Sequence, residues 1–524
     1  MQPEIQAYFR YVAEKYGVPS RVRYRSAVVG ARWDAASATW VVQVQDLRTK
    51  AIKQRRCKIL VSAVGALSTP QECDIPGASM FRGRLFHSAQ WDKTFEWEGK
   101  EVVVIGMEHL REFETLLTMN VGNGCSATQI IPTISQGAQA VKRITQFSRQ
   151  AHWLAERFNP DYSPQFKWMM RWVPGAMRLY RAWIYYNKEL SFRGFCIKGG
   201  EKIREQWAKD ATAYILRTAP EQYRDALIPK SVIGCKRRVN DTGYLRSLHQ
   251  ANVELVHDDA IATISENGIN TASGRFVPAD AIILATGFQT HRFLFPIQIV
   301  GESGMTLQEH VSPPVINSTN SIIGLTDLQW DRISEGTSSA YFGTCISGFP
   351  NFFTMMGPNT VTGHLSVIYT VECQINFTMR VIAPIMKALK MSRRSAQPSK
   401  DVGSAHSVAV KPEAELRDNH WIQQKCKELV WSTGCTSWFI DPRTGRNTQM
   451  YPQWMFLYWV RSFWIPWDDF AYRGLPSSGG ACSAISGIYQ GRPKLLGVLL
   501  FVAVGCLFTV ASLQWLPSTV TRVM

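Results

Sequence analysis

The chain has 524 residues, 45% of them hydrophobic, enough to bury large cores in two or more domains and to exclude an intrinsically disordered protein. Its formal charge of +17 comes from dispersed Lys and Arg with no nucleic-acid motif, so it reads as a basic solvated surface. The eleven cysteines show no CxxC and no metal-ligand spacing, which argues against a metal site or a disulfide framework and for reduced thiols.

The first stretch, MQPEIQAYFRYVAEKYGV, places Ile5, Tyr8, Phe9, Val12 and Tyr16 at helical spacing. It is not a signal peptide, and a start inside a helix predicts sequence upstream. Residues 22–65 alternate or run apolar and predict strands in VRYRSAVVGARWD, TWVVQVQD and KILVSAVG. EVVVIG, ending at Gly106, predicts a short buried strand, Ser126–Ile134 the start of a helix, and VKRITQFSR the next strand. Residues 153–230 are rich in Trp, Arg and Tyr with helical periodicity. From residue 253 a β-meander ends in the apolar run AIILATGF. Helices are predicted over 368–391 and 412–430, with a polar loop between them. Leu495–Leu516 carries no charge over a length that can span a bilayer, flanked by Arg492, Lys494 and Trp515. It predicts a tail anchor on a cytoplasmic body. The order β, βαβ, α, β, α predicts an α/β protein with an interrupted domain.

Two patterns carry chemistry. GKEVVVIG, from Gly99, starts as a strand entering a phosphate-binding turn, and VGNGCSATQ resumes as that turn leading into a helix. Without the intervening residues the turn reads G-x-G-x-x-A, with Gly122 (or Gly106 in its place), Gly124 and Ala127. Glycines allow the backbone to approach a pyrophosphate, and the helix N-terminus faces the anion. Arg149, closing the next strand, stands where a cation meets the 2′-phosphate of NADP, whereas an acidic residue favours NAD. The second pattern is F-x-G-x-x-x-H-x-x-x-W-D, at Phe81, Gly83, His87, Trp91 and Asp92.

That second pattern resembles the fingerprint of the class I, flavin-dependent Baeyer–Villiger monooxygenases. Nitrogen- and sulfur-oxidising flavin monooxygenases usually end it without Trp-Asp. The resemblance continues to about residue 470. Ala63-Val64-Gly65 and Ala285-Thr286-Gly287-Phe288 are similar to the family's two A-T-G strand ends, and Gly348–His364, which contains Asn359, to its flavin-proximal G-F-P-N stretch. STGCTSW and GRNTQMYPQW resemble fungal members that serve secondary-metabolite clusters. Gly234-Cys235-Lys236-Arg237 matches the family's G-x-K-R segment. The resemblance therefore implies an α/β flavoprotein with two dinucleotide-binding domains, for FAD and NADP(H), oxidising a small-molecule ketone with O2. Arg237 would be catalytic, a fixed guanidinium stabilising negative charge on the attacking oxygen. Lys236 would join Arg149 on the 2′-phosphate, His87 would position the inter-domain linker, Gly65, Thr286 and Gly287 would bind cofactor where the chain passes between the FAD and NADP domains, and Asn359 would bind cofactor near the flavin. The implied division is an FAD part over 1–92, an NADP part over 93–152, a helical insertion over 153–232, the second NADP part over 233–284, the rest of the FAD domain over 285–470, and a linker over 471–494.

The chain departs from the family pattern in two ways. It carries no first G-x-G-x-x-G, no G-G-T-W segment and no flavin-proximal Asp after them, so the FAD domain lacks its first βαβ unit and poor FAD binding is expected. In addition, residues 107–122 and 311–329 interrupt otherwise continuous motifs. Both segments back-translate into fungal intron donor, branch and acceptor signals. The expectation is a conceptual translation with two unspliced introns and a missed 5′ exon. The alternatives are a membrane-tethered remnant without activity and a nitrogen- or sulfur-oxidising enzyme.

Overall fold

The computed structural model describes residues 2–106, 124–148, 150–159, 161–311, 338–392, 406–435, 437–442 and 444–474. The strands are β1 Ser26–Asp34, β2 Thr39–Asp46, β3 Ile52–Cys57, β4 Leu60–Ser62, β5 Arg84–His87, β6 Glu101–Ile105, β7 Arg143–Phe147, β8 Leu154–Ala155, β9 Val239–Asn240, β10 Val253–Val256, β11 Ile261–Ser265, β12 Gly268–Thr271, β13 Phe276–Pro278, β14 Ala281–Leu284, β15 Gln298–Val300, β16 Phe352–Thr354, β17 Ser407–Val410 and β18 Phe470–Arg473. The helices are α1 Gln2–Lys15, α2 Gly124–Ile134, α3 Pro164–Trp172, α4 Ala176–Leu190, α5 Glu201–Thr218, α6 Arg224–Leu227, α7 Tyr244–Ser247, α8 Leu307–Val311, α9 Val367–Ser392, α10 Pro412–Cys426 and α11 Met455–Phe463.

A five-stranded sheet in the order β10-β7-β6-β14-β5 organises the first lobe, and every neighbouring pair in it is parallel. β6 and β14 at its centre read as apolar runs because both faces are covered. Val102 and Val104 of β6 point to one face, where α2 packs through Ala127, Ile131 and Ile134. Val103 and Ile105 point to the other, against Ile264, Ile269 and Val277 of the β11-β12-β13 meander. The period of two along a strand sends successive residues to opposite faces, and here both faces are apolar. β5, which precedes residue 92, is an edge strand of this sheet. The helical region places α3 to α6 between β8 and β9.

The second lobe has shorter strands. β4 and β16 form a parallel pair, and β1, β2 and β3 make an antiparallel meander with β15 alongside β1. α9, α10 and α11 cover this lobe with an aromatic core that includes Phe342, Phe353, Phe377 and Tyr458. β3 was not expected: IKQRRC lacks an apolar stripe, and its residues are exposed except for partly buried Cys57, yet it completes the meander by pairing with β2.

The expectation of reduced thiols is corrected at one pair. Cys235 and Cys435 are joined as a disulfide, their loops meeting with the Cα atoms 5.8 Å apart across 200 residues of sequence. Seven other cysteines among the described residues are free. Among the described residues no helix is long and apolar enough to cross a membrane, and the expected anchor at 495–516 lies outside them. So do most of the two interrupting segments.

Candidate functional site

The phosphate-turn halves meet in space. Gly106 ends β6 directly against α2, where a Cβ on Gly106 would stand 3.0 Å from the Cβ of Ala127. Small residues at both positions are what close strand–helix packing beside a pyrophosphate requires. Gly124 opens α2 beneath His152, and a Cβ there would lie 2.6 Å from the imidazole Cδ2. Gly122 and Arg149 lie outside the described residues.

Three cationic or titratable groups gather around this helix end. The Arg237 guanidinium acts on the Cys125 thiol: burial pushes that thiol up, and Arg237 opposes the rise. Lys236 donates to Gln150 Oε1. It also acts on His152, whose pKa is held at about 4, by burial first and by the Lys236 charge second. Gly234, at φ +92°, turns the chain so that Lys236, Arg237 and Arg238 follow in the same loop.

That loop forms one wall of a cavity of about 630 Å³. Lys188, Arg193 and Arg238 add charge to its lining, and Phe195, Trp207 and Trp431 supply flat apolar walls. Desolvation, and then the neighbouring Arg238, pull the Lys188 ammonium below its ordinary value. A buried pair from two distant segments also frames this cavity: His364 Nε2 lies 3.1 Å from Glu189 Oε2, and Glu189 Oε1 accepts from the Phe456 amide at 2.8 Å. Glu189 escapes a sequence reading because its neighbours suggest an ordinary basic helix, and burial alone reveals it.

The fingerprint residues have identifiable mechanical roles. His87 ends β5 opposite Leu284, so its ring sits where β14 runs into Thr286 and Gly287. The Ala89 amide donates to His87 Nδ1 at 3.0 Å, which puts the proton of the neutral ring on Nε2. Burial holds the imidazole below its ordinary pKa, against the Gly287 backbone, which favours the charged ring. The His87 ring meets the Phe288 ring edge-on, with centroids 5.7 Å apart. Gly83 approaches Asp280 so closely that a Cβ would lie 2.4 Å from its carbonyl oxygen. Phe81 packs on the meander side of the sheet. Trp91 meets Phe86 edge-on with centroids 5.2 Å apart. Asp92 Oδ1 accepts from the amide and hydroxyl of Thr94 at 2.9 and 2.6 Å, and these bonds lower its pKa.

Gly65 and Gly287 adopt φ of +79° and +86° at the ends of β4 and β14. The Thr286 hydroxyl is buried, with no hydrogen-bond partner among the described residues. Such an orphaned polar atom at a strand end suits a polar ligand. Asn359 does not present its amide to a ligand: Nδ2 donates to Asn447 O at 2.8 Å and Met450 O at 3.2 Å. It ties the Gly348–His364 segment to the GRNTQM loop. Asp241 was missed in the sequence. Buried in the turn just before α7, it accepts from the Gly243 and Tyr244 amides at 2.9 and 2.6 Å, and from the Tyr214 hydroxyl at 2.8 Å.

Comparison with known proteins places this geometry. No protein-family model matches the chain. A Baeyer–Villiger monooxygenase of Streptomyces coelicolor is 30% identical over 454 residues, covering 86% of this chain and 75% of that protein. An FAD-binding monooxygenase of Aspergillus niger is 29% identical over 523 residues, covering 96% of this chain and 75% of that protein. Among solved structures, cyclohexanone monooxygenase from Rhodococcus sp. Phi1 bound to NADP+ aligns with a TM-score of 0.67 at 19% identity, covering 90% of this chain and 84% of the other. An oxidised steroid monooxygenase bound to NADP aligns at 0.66 and 21% identity, covering 90% and 85%. The solved structures share the α/β fold, and the identity to the Streptomyces enzyme over most of both chains shows that this chain belongs to the Baeyer–Villiger monooxygenase family.

Proposed function

We propose that the chain uses NADPH and FAD to insert one atom of O2 beside a ketone carbonyl, giving an ester or lactone, while the other oxygen atom leaves as water. The substrate would be a bulky ketone of fungal secondary metabolism. The observation that carries the reading is that Lys236 and Arg237, which line the cavity, also act on His152 and Cys125 at the N-terminus of α2. Support comes from the relatives' names and from neighbouring structures bound to FAD and NADP.

NADPH supplies the hydride and FAD the oxygen activation when they are bound. The chain's own residues supply placement and charge. The Gly106–Ala127 contact and the amides opening α2 would seat a pyrophosphate. Lys236, with Arg149, would bind the 2′-phosphate. Thr286, Gly287 and Gly65 would lie along FAD, with the buried Thr286 hydroxyl as the donor or acceptor awaiting a partner. Arg237 would hold negative charge on the oxygen that attacks the ketone, and the aromatic walls would exclude water. His87 would position the two strand ends. Residues 107–122 and 311–329 would be retained intron sequence, which a spliced transcript carrying either segment would refute.

The experiment is purification followed by turnover. An active enzyme would be yellow, consume NADPH only with a ketone present, and yield product heavier by one oxygen atom. Arg237→Ala should lower kcat by about 100-fold or more while flavin absorbance persists. A second reading, an inactive remnant, is favoured by β4, which among the described residues pairs only with β16 and leaves Val61 exposed. A colourless protein without NADPH oxidation would decide for the remnant.

A further inference from the structure

The α3–α4 hairpin carries a surface that neither cofactor binding nor ketone oxidation uses. Between Tyr162 and Arg181 there are four cations, Lys167, Arg171, Arg178 and Arg181, and no acidic residue. No residue of α3 is buried, and in α4 only Glu189 is. Trp168, Trp172 and Leu179 are 61%, 62% and 62% exposed, and Met177 and Val173 are exposed beside them. Scattered apolar residues on a surface need no explanation, whereas a contiguous exposed set of this size marks a contact face.

The hairpin is nonetheless well formed. Ser163 caps α3 by accepting from the Phe166 amide at 3.2 Å. Tyr162 stacks on Phe166 at 4.8 Å, Tyr180 meets Phe166 edge-on at 5.0 Å, and the Tyr162 and Tyr180 hydroxyls lie 3.0 Å apart. This clasp uses the inward side of α3. Trp168 and Trp172 are left four residues apart on the outer face, next to the parallel stripe of Lys167 and Arg171. The Arg171 guanidinium lies 5.3 Å from the Trp172 ring centroid.

We propose that this hairpin docks in the plane of an anionic membrane surface, with Trp168, Trp172 and neighbouring apolar side chains at the headgroup–acyl boundary and the Lys and Arg stripe against lipid headgroups. Amphipathic helices that combine exposed Trp and Leu with Lys and Arg bind in this way, and Trp favours that depth. Charge complementarity selects the occupant. A face this cationic repels a second copy of itself, and aromatic side chains without a groove do not suit a nucleic-acid backbone. The docked hairpin also places the substrate route. Trp183, Ile184, Asn187 and Lys188 of α4 line the cavity. Docking would therefore set the rim of that cavity at the membrane, where an apolar ketone could enter without crossing water.

The test is sedimentation of the full chain with vesicles of phosphatidylcholine, alone or with about 30% phosphatidylserine, since each Lys or Arg near such a surface adds roughly a factor of five. The expected result is at least tenfold stronger binding to the anionic vesicles. K167E/R171E and W168A/W172A should each lower it at least tenfold, with unchanged thermal melting because these side chains are exposed. Residues 495–516 are present in all proteins compared, so any contribution from them cancels in the ratios. Lipids brominated on the acyl chains should quench wild-type tryptophan fluorescence more than that of W168A/W172A. Equal binding by wild type and both variants would overturn the proposal. So would binding indifferent to phosphatidylserine, or a W168A/W172A variant that changed only the oligomeric state and thus assigned the face to a protein contact.

Discussion

The two lobes solve the same packing problem with different materials. The first has five parallel strands covered on both faces, and its core is almost wholly aliphatic: Val102, Val104, Ile144 and Ile283 on one side, Val103, Ile105 and Ile282 on the other. Among the described residues the second has parallel strand pairs only in β4–β16 and β1–β15, each with three residue pairs in register. It holds its segments together with buried charge. Glu415 of α10 is fully buried and receives His310 Nε2 at 3.2 Å, the Ser339 hydroxyl at 2.7 Å and the Ser347 amide at 2.7 Å. Burial would raise its pKa, yet His310 and these donors hold it below the ordinary carboxylate value. Asp418, one turn further, accepts from Arg461 and from the Phe342 amide. A sheet with many strands specifies its neighbours by register and apolar area. A lobe of short strands and loops needs directional bonds to do the same.

The sharpest way to break this comparison is Glu415→Leu. Removing the carboxylate strands a histidine, a hydroxyl and an amide in a dry interior, and the expected cost is about 3–5 kcal/mol. Denaturant unfolding should show the loss, and a cost below about 1 kcal/mol would mean that apolar packing, not the ion pair, holds α10. The corresponding change in the first lobe is Ile283→Ala in the centre of β14. It removes only aliphatic contacts, so the expected cost is about 2–4 kcal/mol. With no polar group left unpaired, no new pH dependence should appear in the unfolding midpoint.

Legibility from sequence followed the same division. EVVVI and AIIL could be read as buried strands because parallel sheets covered on both faces favour unbroken apolar runs. The G-x-K-R loop and the fingerprint could be placed by spacing, and the structure brings Arg237 to Cys125 and His87 to the Thr286 strand end. Other features had no local signature. Glu189 meets His364 across 175 residues, and Glu415 meets His310 across 105. Such pairs depend on tertiary proximity, and a Glu in a helix looks the same whether it faces solvent or core. Asn359 shows the converse: its motif pointed to a ligand, whereas the folded chain spends its amide on Asn447 and Met450. Cys235 and Cys435 likewise lay too far apart in sequence to suggest a pair.

His152 is where the first lobe departs from its aliphatic rule, and it sharpens the comparison through pH. Its folded pKa is depressed to about 4 from an ordinary 6.5 by burial and by Lys236. Above pH 6.5 the ring is neutral in both folded and unfolded chains and contributes no slope. As pH falls below 6.5 the unfolded chain takes up a proton that the folded chain refuses, so stability declines until about pH 4, where both states are charged. That depression corresponds to roughly 3 kcal/mol lost across that window. His152→Gln should flatten the curve between pH 6.5 and 4 while leaving stability at pH 8 within about 1 kcal/mol of the wild type. Lys236→Met should flatten it only in part, because burial is the larger cause. NADP+ should change the same limb: an anion seated beside Lys236 offsets the positive charge there, raises the His152 pKa and makes the decline smaller, ending it at a higher pH. An acid limb that neither His152→Gln nor NADP+ alters would separate His152 from the dinucleotide site and leave Gly124 beneath it with a packing role alone.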